Sequence, residues 1–139
     1  MLKVLIADDE EKICQLIIKL INWEEMGLKI AATASNGIEA LEQAKICKPE
    51  ILITDIRMPG IDGMELIRKV KEKLPDTEII IISGYRHFEY AQTAIRYGVR
   101  NYLLKPIKKE ELRDTLQKIA DIYREKNEQL NVEERVRLA

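Results

Sequence analysis

Across Glu50-Ile-Leu-Ile-Thr-Asp-Ile-Arg-Met-Pro-Gly-Ile-Asp-Gly63 an apolar run leads to a single carboxylate, Asp55, and a Pro/Gly-rich loop follows at once. Ile51 to Ile53 suit a strand buried on both faces, as central parallel strands are, while Pro59, Gly60 and Gly63 stop the chain from continuing as strand or as helix. The pattern reads as a buried strand that delivers an acid to its own carboxyl end. Such a strand needs parallel neighbours and helical cover, and the rest of the chain offers both.

Leu2 to Ala7 is a first apolar run, closed by Asp8 and Asp9, and Glu11 to Ile21 then carries a core stripe of Ile13, Leu16, Ile17 and Leu20 at helical spacing. Cys14, Ile18 and Ile21 form a second apolar stripe on the same helix. Asn22 to Gly27 connects to a strand over Leu28 to Ala34, and the next helix, Ile38 to Cys47, is expected to bury Ile38, Leu41, Ala44 and Ile46. After the Pro/Gly loop come a helix from Met64 to Leu74, a strand from Ile79 to Ile82 and a helix from Phe88 to Tyr97. That last helix is closed by Gly98, which takes a left-handed cap without a Cβ penalty. Asn101 to Lys105 reads as the fifth strand, and Lys108 onward as a long helix with Leu112, Leu116, Ile119 and Tyr123 on one face. Strands alternating with helices in this way predict an α/β fold, a doubly wound five-stranded parallel sheet with helices on both faces.

The 139 residues suit one domain, assigned to residues 1–126; beyond it the apolar spacing thins, and residues 127–139 are read as a linker or helical extension. Twenty-three basic and 24 acidic side chains nearly cancel, so no whole-domain field draws the chain to nucleic acid or to an anionic membrane. Cys14 and Cys47 lack zinc or disulfide spacing, no apolar run approaches membrane-spanning length, and the start lacks a signal-peptide core; the expectation is a cytoplasmic protein with reduced thiols.

In an open doubly wound sheet, ligands bind beyond the carboxyl ends of the strands. The residues there are Asp8 and Asp9, Asp55, Ser83 with Gly84, and Lys105 with Pro106. If the first and third strands are neighbours, three carboxylates converge and raise one another's pKa unless a cation neutralises them. Mg²⁺ is the expected cofactor, because an all-oxygen set without His or Cys disfavours zinc. With a metal to offset repulsion, Asp55 can act as a nucleophile toward a phosphoryl group, Lys105 can add positive charge and Ser83 a hydroxyl donor.

These segments, with Leu5-Ile-Ala-Asp-Asp-Glu10, Asn36-Gly-Ile-Glu-Ala-Leu41, Ile82-Ser-Gly84, Ala94-Ile-Arg-Tyr-Gly98 and Tyr102-Leu-Leu-Lys-Pro106, resemble the CheY-like receiver domain of two-component response regulators, from residue 2 to about residue 125. The resemblance implies the flavodoxin-like strand order 2-1-3-4-5. It implies a phosphoacceptor signalling domain, limited to self-catalysed transfer and slow autodephosphorylation, that takes a phosphoryl group on Asp55 from a sensor histidine kinase. Asp8, Asp9, Asp55 and the backbone carbonyl of Arg57 would hold Mg²⁺. Ser83 and Tyr102 would be the switch pair, Lys105 would precede Pro106 across a cis bond, and Ile13 and Pro106 would touch the phosphodonor. The output would be a change in homodimerisation or in contact with a downstream domain. Asn22 to Gly27 and Ser83 to Ala91 further resemble the subgroup preceding an AraC-type helix-turn-helix domain, which these residues do not include. On this reading DNA is reached only through that domain, with a free-standing receiver as the alternative.

Blander roles compete for several residues. Asp8 and Asp9 can cap the first helix, and His87 lacks an acidic partner that would favour a phosphocarrier role. The basic residues of the second half, interleaved with acids, suit a solvated face or a dimer contact. A metal-dependent phosphohydrolase with an aspartate nucleophile is the rival enzyme, but it needs a general acid two residues after the nucleophile, where this chain has Arg57. A nucleotide- or flavin-binding module is disfavoured because the first strand leads into bare acids and not into a Gly-rich cradle.

Overall fold

A computed structural model describes residues 1–84 and 88–138, apart from the side chains of Phe88, Asn131 and residues 133–138. The strands are β1 (Leu2–Ala7), β2 (Leu28–Ala34), β3 (Ile51–Thr54), β4 (Glu78–Ser83) and β5 (Asn101–Leu104). They alternate with helices α1 (Glu11–Leu20), α2 (Gly37–Cys47), α3 (Gly63–Lys73), α4 (Phe88–Arg96) and α5 (Lys109–Leu138). All pairings are parallel and the sheet order is β2-β1-β3-β4-β5, the order that the sequence resemblance implies.

Right-handed crossovers dictate which face each helix covers. The chain steps one way from β1 to β2 and the other way for every later strand, so α1 lies on one face and α2, α3 and α4 on the other. The alternation of strand side chains matches. Val4, Ile6, Ile51, Ile53, Ile80 and Ile82 pack with α1 and α5. Leu5, Leu52, Ile79 and Ile81 pack with α2, α3 and α4.

Two helices present a different face from the one their large apolar residues predict. In α1 the core stripe is Cys14 and Ile17, continued by Ile21 just past the helix, while Leu16 is 42% exposed. The helix carries two apolar stripes at the same period, and its phase is set by the segment after its C-terminus, where Trp23 packs into the same core and donates to the Ile18 carbonyl at 3.0 Å. In α2 the buried residues are Gly37, Ala40 and Ala44, whereas Ile38 and Ile46 are 54% and 75% exposed and Leu41 is half-buried. Small side chains let this helix lie close to the sheet, and Ile38 turns instead over Gly60, where an added Cβ would meet its Cδ1 at 3.0 Å.

Helix α5 packs through Leu112, Leu116 and Ile119 and then runs on without a break to Leu138. Further along, Tyr123 donates to the Asp76 carbonyl at 2.6 Å, and Leu130 and Val132 beyond it are largely exposed. Residues 127–138 are thus helical and continuous with α5.

Candidate functional site

Strands β1 and β3 run side by side with Ala7 opposite Thr54, so the next residue of each, Asp8 and Asp55, meet at the carboxyl edge of the sheet. Both are buried, at 2% and 6% exposure. The Asp55 carboxylate accepts from the Ile56 N–H at 2.6 Å through Oδ1 and from Lys105 Nζ at 3.0 Å through Oδ2. The same ammonium stands 3.1 Å from Asp8 Oδ2, and Asp8 Oδ1 accepts from the Glu10 N–H at 2.9 Å. One cation therefore bridges two buried carboxylates that would each cost several kcal/mol if left unpaired.

The electrostatics reflect that arrangement. Burial pushes the Asp8 carboxyl above its ordinary range, and the Glu10 amide and Lys105 only partly offset it. Burial pulls Lys105 down, but Asp55 and Asp8 together outweigh it and leave its ammonium held more firmly than usual.

Asp9 and Glu10 are exposed, and with Asp8 they form a group in which one carboxylate oxygen from each lies within 4.8 Å of the other two. An all-oxygen group of this kind fits a hard divalent cation better than a soft one. The group includes Glu10 beside the expected Asp8 and Asp9, whereas Asp55 is engaged by Lys105. Helix capping does not account for these acids: the cap residue of α1 is Glu10, without a side-chain cap bond, and the Asp8 side chain serves the loop.

Ser83 ends β4 fully buried, on the face covered by α4. Tyr102 is hydrogen-bonded to Ser83; burial raises its phenol, and the charges of Tyr90 and Asp55 add to that while the serine opposes it. The pair expected to form the switch is thus already joined. The Lys105-Pro106 bond is cis, as the resemblance implies. Ile13 is half-buried and Pro106 exposed, each within a few residues of an acid or of the lysine. Arg57 is exposed in the loop after Asp55. His87 and the approach to α4 lie outside the described residues.

Two glycines belong to this site, although in the sequence one reads only as a chain breaker and the other only as part of a motif. A Cβ on Gly63 would overlap the Asp55 carbonyl oxygen and stand 2.8 Å from Ile56 Cα, and the Gly63 N–H donates to the Ile56 carbonyl at 2.6 Å. A Cβ on Gly37 would overlap the Ile61 carbonyl. The first turns of α3 and α2 therefore clamp the loop after Asp55 from two sides, with Asp62 and Asn36 as caps accepting from Glu65 N and Glu39 N. A helix-start glycine directly behind a capping Asp or Asn was the available signal.

Residues 4–117 match the response regulator receiver domain family. The chain is 40% identical over 139 residues to the uncharacterized transcriptional regulatory protein YesN of Bacillus subtilis, covering 96% of this chain and 38% of that protein. It is 40% identical over 116 residues to an uncharacterized response regulatory protein of Staphylococcus epidermidis, covering 84% of this chain and 45% of that one. It thus spans less than half the length of these curated relatives. Among solved structures, the REC domain of AraT, a response regulator from Geobacillus stearothermophilus, superimposes with a TM-score of 0.86 at 41% identity, over 91% of this chain and 98% of that one. No helix among the described residues is long and apolar enough to cross a membrane. The chain belongs to the response regulator receiver domain family.

Proposed function

We propose that the domain accepts a phosphoryl group on Asp55 from a sensor histidine kinase. The observation that carries this reading is the Lys105 ammonium bonded to Asp55 at 3.0 Å and to Asp8 at 3.1 Å in a buried crevice. An Asp55 oxygen attacks phosphorus and forms the new O–P bond, the P–N bond to the donor imidazole breaks, and the electron pair returns to the ring. Lys105 offsets charge on the transferring group, and Ser83, buried beside it, offers a hydroxyl to the phosphoryl oxygens. Asp8, Asp9, Asp55 and the Arg57 carbonyl are the residues to hold Mg²⁺, which when bound supplies charge neutralisation between carboxylate and phosphate. Arg57 stands where a phosphohydrolase needs its general acid, which favours stable phosphorylation over turnover.

The switch reading rests on the hydrogen bond between Tyr102 and Ser83. A phosphoryl group competes for the serine, and Tyr102, which faces Tyr90 of α4, moves with it. Ile13 and Pro106 flank the crevice as contacts for the kinase. In the whole protein, residues 1–126 form the receiver and 127–139 lead toward an output domain. The resemblance of Asn22 to Gly27 and Ser83 to Ala91 favours an AraC-type DNA-binding domain as the output of a cytoplasmic transcription regulator, with homodimerisation on activation, and YesN is named a transcriptional regulatory protein. Incubation with Mg²⁺ and acetyl phosphate, followed by intact mass and peptide mapping, tests the chemistry. One added phosphoryl group on Asp55 is expected; labelling that survives Asp55→Asn, or that appears equally in EDTA, refutes it.

A further inference from the structure

At the edge of the sheet opposite Asp55, a groove of about 180 Å³ lies between the C-terminal halves of α2 and α3. Leu41, Ala44, Val70 and Leu74 make its apolar floor, and Ala44 and Val70 are too short to fill it. Lys45, Lys48, Lys69 and Lys73 stand around it. No described carboxylate lies within ion-pair distance of any of these four lysines. The acids of α3 are committed elsewhere, because Glu65 and Glu72 both pair with Arg68. Lys73 reaches the Lys45 ammonium and pushes its pKa down, Lys69 adds to this, and Glu42 only opposes it.

Helix dipoles favour a cation at each of these helix ends, by about 0.3–1 kcal/mol at an exposed site. That accounts for Lys45, Lys48 and Lys73 but not for Lys69. Lys48 comes directly after α2 in a left-handed cap at φ 47°, its N–H on the Ala44 carbonyl at 2.9 Å, and Lys69 lies a turn inside α3. Four like charges gathered around one apolar gap suit an opposite surface with an apolar tip.

We propose that this groove docks an acidic helical segment of a partner protein, whose aliphatic side chain enters the gap between Ala44 and Val70 while its carboxylates meet Lys45, Lys48, Lys69 and Lys73. The volume favours a side chain over a free metabolite, since small-molecule pockets usually measure roughly 300–1,000 Å³. It favours protein over nucleic acid as well. Phosphates need no apolar floor, and the groove has no aromatic lining on which bases could stack. Laying one apolar stripe of a helix into a groove with charged rims is a common peptide-recognition mode. The groove is remote from Asp55, so the inference is independent of phosphoryl transfer.

The test titrates the unphosphorylated chain with a fluorescein-labelled helical peptide of leucine and glutamate in amphipathic spacing. The same peptide with serine for leucine and a labelled DNA duplex run beside it, all read by anisotropy. The leucine peptide should bind about ten- to a hundredfold more tightly than the serine version, the worth of one buried aliphatic side chain. Amide shifts on binding should map to Leu41, Ala44 and Val70. Lys45→Glu/Lys73→Glu should abolish the difference, and Lys48→Glu, outside both helices, should weaken it. Melting curves establish that both variants fold. Absence of binding by the leucine peptide, equal binding of the serine version, DNA binding as tight, insensitivity to both charge reversals, or shifts mapping elsewhere would each overturn the proposal.

Discussion

Replacing Lys105 with Met keeps the apolar stem and deletes only the ammonium that holds Asp8 and Asp55 together. In the metal-free protein this leaves two buried carboxylates facing each other without a cation, because Lys105 is the charged partner of both. Removing one partner of a buried pair costs about 3–5 kcal/mol. The low end applies, because the lysine side chain keeps 18% exposure and Asp8, already pushed up by burial, can take a proton. A loss of about 3 kcal/mol corresponds to a fall of roughly 6–12 °C in Tm for a domain of this size. The deficit has a pH signature. The raised carboxyl of Asp8 takes up protons before the unfolded chain does, so its unfavourable contribution at neutrality fades as pH falls toward its ordinary 3.8. In Lys105→Met that relief is larger, since the carboxyl has lost its cation. Calorimetry at about pH 7 and about pH 4, with and without Mg²⁺, is the assay. The deficit should shrink at the acid end and on adding Mg²⁺. An equal deficit under all conditions would mean that the lysine acts through packing and would refute the electrostatic reasoning.

Gly63→Ala should destabilise by about 1–3 kcal/mol or more, because the colliding atoms are the Asp55 and Ile56 backbone and not a flexible side chain; urea melts measure it, and phosphorylation should slow with it. Asp9→Ala should leave metal-free stability unchanged or higher, as one of three clustered carboxylates is removed, while weakening Mg²⁺ binding in calorimetric titration. Marked metal-free destabilisation would reveal a structural role for Asp9. Burial, with Glu78, Glu50 and Asp76 nearby, pushes Tyr123 from its ordinary 10.0 to about 12. Between those values the unfolded chain ionises while the native one does not, so stability falls as pH rises through that window. Tyr123→Phe should flatten that alkaline fall in thermal melts, and an unchanged profile would assign it to other groups such as Lys105.

The residues of the site were legible because the chemistry leaves so few alternatives at strand ends. An apolar strand tolerates an acid only where it stops, and Asp8, Asp55 and Lys105 each come directly after the last residue of their strand. Phase was harder to read where a helix has a choice. In α2, size misled: the sheet takes Ala40 and Ala44, and the large Ile38 and Ile46 face outward, because close approach gains more contact than a bulky side chain held at a distance. In α1 the sheet takes Ile17 from the one stripe with Cys14 and Ile21 from the other, so periodicity could not separate them. The clamp by Gly37 and Gly63 was hidden for another reason. A glycine in a sequence shows permissiveness, but only the structure shows which neighbour would be struck.

Strand register explains why the long residue of the site is a lysine and why it stands on β5. Ala7, Thr54, Ile81 and Tyr102 align across the sheet, while Ser83 aligns with Leu104, two residues further along. Lys105 is therefore offset from Asp55 by two residues along the strand direction, about 6–7 Å, and by two strands laterally, about 9–10 Å. Only a side chain with a long unbranched stem covers such a gap, and its hydrogen bond to Asp55 at 3.0 Å shows that it does. The stem passes over the end of β4, where Ser83 is buried. Any group added to Asp55 must then displace the ammonium from its present position between the two carboxylates or share it, with Ser83 beside it and Tyr102 attached to Ser83. On the proposed reading, the route from the acid to α4 would run through three side chains set by register, and its coupling would be bounded by what the added group gains from them, typically about 1–3 kcal/mol. A coupling of that size would shift the balance only about 5- to 150-fold, so the proposed switch would be expected to keep some activity without phosphate. Lys105→Met should therefore change both the rate of phosphoryl transfer and the resting balance of the switch, whereas Tyr102→Phe should change the balance alone.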